Sequence, residues 1–209
     1  MPSITRPRPQ GPDRRAAAVA QVLAATERLL VEGVPFTELG VQRIAAEAGI
    51  ARSTFYLHFR DKTELLVRLA GSLKDELFGL GKEWRPTGPG GGPDGLTALY
   101  ERMIRYYRDH GAVLAAITET AGYDPEVREY WAEEIGRFAE RAVARLTAEQ
   151  EAGRLAPDVD PALAGWALAV GGAAVISRHV AAGDPARDTV IARELAVSQW
   201  YGVYSRPAG

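Results

Sequence analysis

The chain has 209 residues and a formal net charge of −2, with 46% hydrophobic and 25% charged residues, which is the balance of a globular protein of one or two domains. It contains no cysteine, which excludes disulfide bonds and cysteine-ligated metal sites, and its three histidines, at positions 58, 110 and 179, are far apart. No apolar run reaches the roughly 18 residues that a membrane-spanning helix needs, so we expect a cytoplasmic protein with no metal or other cofactor.

The first 12 residues are rich in proline and arginine and have no apolar period, which predicts a disordered arm. From Asp13 the apolar positions follow a helical period as far as Gly33. Two short helices are predicted next, over 41–48 and 52–58. A long helix is then expected from Lys62 to about Trp84, with Asp61 as its N-cap and Glu64 completing a capping box.

A loop is predicted over residues 85–95, whose glycines and prolines indicate a linker rather than a phosphate-binding loop. Three Asp-Pro pairs follow, and each fits an aspartate N-cap with proline as the first helical residue. Helices are expected over about 96–107, 111–121, 125–152, 161–182 and 185–204. No stretch alternates with period two, so we predict an all-α fold of about nine helices.

We expect an arm over 1–12, a DNA-binding domain over 13–60 and a ligand-binding and dimerisation domain over 61–209.

Residues 38–62 carry the pattern of a helix-turn-helix. The apolar residues of its first helix recur at helical spacing, namely Val41, Ile44, Ala45 and Ala48. Gly49 suits the sharp turn, because glycine adopts a positive φ at low cost, and Ile50 lies between the two helices. Phe55 and Phe59 are four residues apart and are expected in the core. The opposite face then presents Arg52, Ser53, Thr54 and Tyr56, and an exposed helix of this kind fits the major groove of DNA.

Charge also distinguishes this region. Residues 1–64 contain nine Lys/Arg and seven Asp/Glu, whereas the rest of the chain contains sixteen and twenty. Because DNA affinity depends on local neutralisation of phosphates, the basic N-terminal part favours DNA binding despite the overall negative charge.

The segment LGVQRIAAEAGIARSTFYLHFRDKTELL, residues 39–66, resembles the TetR family of repressors. The matching positions are Ile44-Ala45, Ala48-Gly49-Ile50, Thr54-Phe55-Tyr56, His58-Phe59 and Lys62-Thr63-Glu64-Leu65-Leu66. The resemblance implies that Thr54, Tyr56 and Lys62 bind phosphates and that Arg52 and Ser53 contact base edges. For His58 it leaves two roles open, a DNA contact or packing against the long helix. The chain departs from the family pattern at Gly40 and Ala51, where a hydroxyl residue usually caps each helix.

The C-terminal part, with segments such as REYWAEEIGRF and LAVSQWYGVY, is similar to the branch of the ethionamide-resistance regulators. That likeness implies an apolar ligand tunnel, although aromatic residues here are also explained by an ordinary core. The expected lining is Leu96, Met103, Tyr107, Trp131, Ile135, Phe138, Leu168, Gly171 and Trp200. The branch has polar amides where this chain has Leu168 and Gly171, so the ligand itself cannot be inferred from it. We expect an apolar or amphipathic small molecule in a pocket of about 300–1,000 Å³.

The last two helices are implied by the resemblance to form a dimer interface, with Leu163, Ala167, Val170 and Ala174 on the contact face. The small residues of the helix over 161–182 allow close helix approach, either between subunits or within one. A symmetric dimer matches a palindromic operator. We therefore predict a homodimeric repressor, not an enzyme, that an apolar effector releases from double-stranded DNA. The alternative is an all-α small-molecule-binding protein or enzyme without DNA binding.

Overall fold

The computed structural model describes residues 11–82 and 84–206. Over this part of the chain it forms nine α-helices and no strand, which confirms the all-α prediction. The helices are α1 (Gly11–Val31), α2 (Val41–Glu47), α3 (Arg52–Tyr56), α4 (Lys62–Lys82), α5 (Gly92–Asp109), α6 (Gly111–Ala121), α7 (Pro125–Glu151), α8 (Pro161–Ala182) and α9 (Asp188–Gln199). Two 3-10 turns, Phe36–Glu38 and Pro185–Arg187, precede α2 and α9, and a π-helical turn, Trp200–Tyr204, follows α9.

Several helices begin at the predicted residue, including α2 at Val41, α4 at Lys62 and α7 at Pro125, and others begin elsewhere. Helix α1 begins at Gly11, two residues before the predicted start at Asp13, and residues 1–10 of the predicted arm lie outside the described part of the chain. Helix α5 begins at Gly92, earlier than expected, with Pro93 in its first turn. The fixed φ of proline suits that position, so the predicted loop ends before it.

All three Asp-Pro pairs provide a cap, but the third caps the 3-10 turn Pro185–Arg187, and α9 begins three residues later than predicted, at Asp188. In each one the aspartate side chain accepts a hydrogen bond from a backbone N–H in the turn that follows. The acceptors and their donors are Asp124 with the amides of Glu126 and Val127, Asp160 with those of Ala162 and Leu163, and Asp184 with that of Ala186. Such caps satisfy N–H groups that have no partner within the helix itself.

The start of α4 carries the predicted capping box in a slightly shifted form. The Glu64 amide donates to Asp61 Oδ1 at 2.8 Å, and Glu64 Oε2 accepts from the Arg60 amide at 2.7 Å, one residue before the usual donor. Hydrogen bonding by the Arg60 amide lowers the pKa of Glu64, since it favours the ionised carboxylate. The box thus fixes the direction in which α4 leaves the helix-turn-helix.

One apolar core runs from the N-terminal helices into the C-terminal ones. It includes Val22 of α1, Phe55 of α3, Leu65 of α4, Ile104 of α5 and Ile117 of α6, each with no exposed surface. Because these residues belong to one cluster, the region around α2 and α3 is packed against the rest of the protein.

Helix α8 packs closely on α7 and leaves its other side exposed. A Cβ at Gly165 would lie 2.6–2.8 Å from atoms of Val143, so glycine is required for this contact. By length and composition α8 could cross a membrane, which corrects the expectation that the chain has no such segment. Its inner residues, Gly165, Ala169, Gly172 and Ile176, are buried within the protein.

Helix α8 is also connected to α5 and α9 by a polar cluster at one end. Asp188 accepts two hydrogen bonds from the Arg108 guanidinium, at 2.6 and 2.7 Å, and its Oδ1 lies 2.7 Å from His179 Nε2. The bonds from Arg108, aided by His179, lower the pKa of Asp188. This cluster fixes the ends of three helices relative to one another.

We predict opposite effects for two glycine-to-alanine substitutions. Gly49 has φ +68°, whereas Gly136 lies in α7, and at both positions an added Cβ meets no atom within 4 Å. Gly49→Ala should lower the free energy of unfolding by about 1 kcal/mol, because alanine is strained at positive φ. Gly136→Ala should raise it by up to about 1 kcal/mol, because alanine favours the helix. Urea denaturation measures both, and a stabilising Gly49→Ala would contradict the assigned turn.

Candidate DNA-binding surface and ligand cavity

Helices α2 and α3 are connected by the tight turn that the sequence predicted. Gly49 has φ +68°, and the Ile50 amide donates to the Ala45 carbonyl at 3.0 Å, which closes the end of α2. The side chains of Phe55 and Phe59 are 0% and 1% exposed, and their rings stack with centroids 5.1 Å apart. Both rings therefore lie in the core, as expected, and they fix the inner side of α3.

The outer side of α3 presents the residues predicted to contact DNA. Arg52 and Ser53 are exposed, Tyr56 is 48% exposed, and Thr54 is half-buried. The Arg52 guanidinium lies 5.8 Å from the centre of the Tyr56 ring, so the two side chains form one surface. The sequence analysis missed Leu57, which is 74% exposed directly after α3. An exposed leucine at this position suits apolar contact with a thymine methyl group.

The two departures from the family pattern leave both helices without a side-chain cap. Gly40 and Ala51 are the N-cap residues of α2 and α3, and neither cap carries a side-chain hydrogen bond. A hydroxyl residue at either place would satisfy a free N–H of the first turn. The first turns of α2 and α3 therefore depend on neighbouring packing.

Lys62 is placed differently from the prediction that it binds a phosphate. Its Nζ donates to the carbonyls of Phe36, Thr37 and Leu39 at 2.8, 3.1 and 3.3 Å, which uses all three ammonium hydrogens. Burial lowers the pKa of Lys62. In this structure Lys62 closes the 3-10 turn before α2. Its phosphate contact stays a prediction, and it would require the ammonium to leave these carbonyls.

His58, whose role the sequence left open, is half-buried. Its Nδ1 is buried and has no hydrogen-bond partner among the described residues. A DNA contact by His58 therefore stays a prediction, and it would have to involve the other side of the ring.

Two cavities lie inside the C-terminal helices, with volumes of about 90 and 50 Å³. Both are smaller than the predicted range of 300–1,000 Å³, so a ligand of the expected size requires side chains to move. Met103, Phe138, Ala169 and Ala173 line both cavities and separate them. We call the larger one the polar-ended cavity and the smaller one the apolar cavity.

Seven of the nine predicted lining residues do line a cavity. Leu96 and Leu168 border the polar-ended cavity, whereas Tyr107, Trp131 and Ile135 border the apolar one, and Met103 and Phe138 border both. Whether they contact a ligand stays a prediction.

The other two predicted residues, Gly171 and Trp200, do not line either cavity. Gly171 is exposed on the outer side of α8, whereas the next residue, Gly172, lines the polar-ended cavity. At this point the sequence analysis therefore assigned the inner face of α8 one residue too early. Trp200 begins the π-helical turn and stacks on Tyr204 with centroids 5.6 Å apart. Gln199, the last residue of α9, and Tyr204, at the end of the π-helical turn, line the polar-ended cavity instead.

The sequence analysis missed the polar end of the larger cavity. Arg141, Arg145, Tyr100 and Gln199 line it, and the Tyr100 hydroxyl donates to Gln199 Oε1. Burial raises the pKa of Tyr100. The two arginines follow Phe138 at three and seven residues along α7, a helical spacing that could have identified them.

The four predicted dimer residues lie together on the outer side of α8. Leu163 is 72% exposed, Val170 is 40% exposed, and Ala167 and Ala174 are exposed as well. Trp166, at 47% exposure, lies on the same side. Large apolar side chains grouped on one exposed side are typical of an interaction surface.

Acidic and histidine side chains do not gather into a metal site anywhere in the described residues, where no group of three or more could hold an ion.

Comparison with known proteins matches the N-terminal region to a family described as bacterial regulatory proteins of the tetR family, over residues 22–69. The HTH-type transcriptional regulator EthR of Mycolicibacterium smegmatis is 35% identical over 159 residues, covering 75% of this chain and 69% of that protein. EthR of Mycobacterium tuberculosis is 29% identical over 168 residues, covering 74% and 69%.

Solved structures share the fold at low sequence identity. A TetR-family regulator from Mesorhizobium loti has a TM-score of 0.69 at 17% identity, covering 94% of this chain and 100% of that one. The regulator FadR from Bacillus subtilis, solved with stearoyl-CoA, has a TM-score of 0.70 at 16% identity, covering 86% and 96%.

The missing caps lead to a graded stability prediction. Ala51→Ser should raise the free energy of unfolding by about 1 kcal/mol, because serine caps a helix and alanine does not. Gly40→Ser should raise it by only a few tenths of a kcal/mol (roughly 0.3), because glycine is already a tolerable cap. Equal gains in urea denaturation would contradict this grading, and no gain from Ala51→Ser would show that α3 does not need a cap.

Proposed function

Because the chain belongs to the TetR family of bacterial transcriptional regulators, we propose that it is a homodimeric repressor that an apolar effector releases from a palindromic operator. The family places it among regulators rather than enzymes. A regulator that acts on chromosomal DNA works in the cytoplasm.

The exposed surface of α3 is the observation that carries the DNA-binding proposal. Arg52 and Ser53 begin the helix, so they are nearest to the bases when the N-terminal end of a recognition helix enters the major groove. Arginine binds guanine through O6 and N7, and Tyr56 beside it suits a phosphate contact. Thr54 is placed next to both.

The outer side of α8 supports a dimer. Leu163, Trp166 and Val170 are large apolar residues on this side, and Ala167 and Ala174 let a second helix approach closely. The inner side of α8 is packed on α7, in close contact at Gly165, so only the outer side needs a partner. A second copy of the chain covers one apolar side of a helix better than lipid does. The pair of subunits then presents two α3 helices to two half-sites.

The ligand proposal rests on the two cavities and on their position. FadR from Bacillus subtilis, with the same fold, was solved with stearoyl-CoA, so a body of this type accommodates an acyl ligand. The apolar cavity is bordered by Leu73 and Leu77 of α4, Leu114 of α6 and Trp131 of α7. A ligand that enlarges this cavity on that side pushes against these three helices.

Residues at or just before the starts of these helices contact the N-terminal DNA-binding region. Arg60 binds Glu126 of α7 at 2.6 Å, and Thr63 Oγ1 donates to the cap residue Asp124 at 2.9 Å. His110, before α6, lies 3.2 Å from Glu27 of α1. Movement around the cavity thus changes contacts of the DNA-binding region, and release follows if the ligand binds the moved state more tightly.

Arg52→Ala tests DNA binding. We expect it to lower affinity for the operator by about 10- to 100-fold and to relax its sequence preference, because a bidentate contact to guanine is worth roughly 1–3 kcal/mol. Fluorescence anisotropy with duplexes taken from the DNA beside the coding region measures this loss. Arg105→Ala, an exposed arginine of α5, is the matched control and should bind as the unaltered protein does. If Arg52→Ala binds the same duplexes unchanged, α3 is not the recognition helix.

Val170→Arg tests the dimer. We expect it to convert the dimer into monomers in sedimentation velocity, because the interface would bury two unpaired charges. Val31→Arg, at a valine that is 67% exposed on α1, is the control and should stay dimeric. A dimer that survives Val170→Arg would place the interface elsewhere, and detergent-dependent solubility of the unaltered protein would favour lipid on α8.

A further inference from the structure

We propose that the effector is a single-chain carboxylate amphiphile, whose head binds Arg141 and Arg145 and whose apolar chain passes Met103 and Phe138 into the apolar cavity. This inference rests on the proposed function, because it names the chemical class of the ligand for the same cavity.

Hydrogen-bond donors dominate the polar end of the larger cavity. The Arg141 and Arg145 guanidiniums each have five N–H donors in a planar array, which suits the two oxygens of a carboxylate. Arg145 is held in position, since it donates to the Gly81 carbonyl at 2.9 Å and lies 5.3 Å from the centre of the Trp84 ring. A guanidinium fixed in this way loses little freedom when it binds an anion.

Trp84 supplies a further donor at this end. Its side chain lines the cavity and is 4% exposed, and its indole Nε1–H is buried with no hydrogen-bond acceptor among the described residues. Leaving a buried donor without an acceptor is costly, so an acceptor brought by a ligand is favoured here.

No Asp or Glu is among the described residues that line this cavity. Glu149, which is electrostatically coupled to Arg145, is held by two hydrogen bonds from Arg154 at 2.6 and 2.9 Å. The positive end therefore lies within a C-terminal region whose overall charge is negative.

The apolar cavity accounts for the remainder of the ligand. It is bordered by apolar and aromatic side chains together with Tyr107 and Glu134, and Glu134 Oε1 accepts from Arg137 at 2.8 Å. A hydrocarbon chain enters it from the polar-ended cavity once Met103 and Phe138 move. Methionine adjusts readily, because its side chain is unbranched and flexible.

Calorimetric titration of the protein, without DNA, tests the inference with three ligands of one chain length, namely octanoate, 1-octanol and octylammonium. We expect octanoate to bind about tenfold or more tightly than octanol, the lower range for charge-assisted hydrogen bonds, and octylammonium to bind most weakly. Arg141→Gln and Arg145→Gln should each remove most of the preference for octanoate and leave octanol binding unchanged. Arg105→Gln, outside the cavity, should keep the full preference.

Equal affinities for octanoate and octanol, binding of neither, or a preference that survives both arginine substitutions would overturn the carboxylate assignment. Thermal melts establish whether each variant folds. If Arg145→Gln is unstable, Arg141→Gln still decides the test, because Arg141 is exposed and its substitution should not affect folding. Operator release is measured separately by anisotropy. Octanoate binding without release would contradict the proposed effector function while supporting the cavity assignment.

Discussion

The recognition helix depends on the burial of Phe55 and Phe59. Helix α3 has five residues, too few to be stable through its own hydrogen bonds. Each buried phenylalanine contributes about 1.5–3 kcal/mol, and their stacked rings continue the core that includes Leu65 of α4. This packing orients Arg52 and Tyr56 toward solvent, because a rotation of α3 about its axis would expose the buried phenylalanine rings.

The second constraint is the connection between α3 and the body. Arg60, Asp61 and Glu64 fix the start of α4, and Arg60 also reaches Glu126. Asp124 has two roles: one carboxylate oxygen caps α7, and the other accepts from Thr63. A shift of α7 therefore disturbs the cap and the contact together, which makes the position of α7 relevant to the DNA-binding region.

The sequence predicted the features that depend on local chemistry. The three Asp-Pro caps, the turn at Gly49 and the buried faces of α2 and α3 each require residues within four or five positions of one another. It did not anticipate contacts between distant parts of the chain. Nothing near Lys62 in the sequence indicates that its ammonium meets the carbonyls of residues 36, 37 and 39, and the phase of Gly171 depends on how α8 packs against α7. The π-helical turn at Trp200 likewise has no local signature.

The ammonium of Lys62 has a consequence for the ions that surround DNA. Neutralising a phosphate releases condensed counterions, and affinity falls with salt in proportion to the number of phosphates neutralised. Lys62 is among the nine basic residues of positions 1–64, but its hydrogens are bonded to carbonyl oxygens, while Arg28 and Arg60 are paired with Glu47 and Glu126. We therefore expect DNA binding to release fewer counterions than the nine basic residues of this region would allow, and to depend less on salt than the composition suggests.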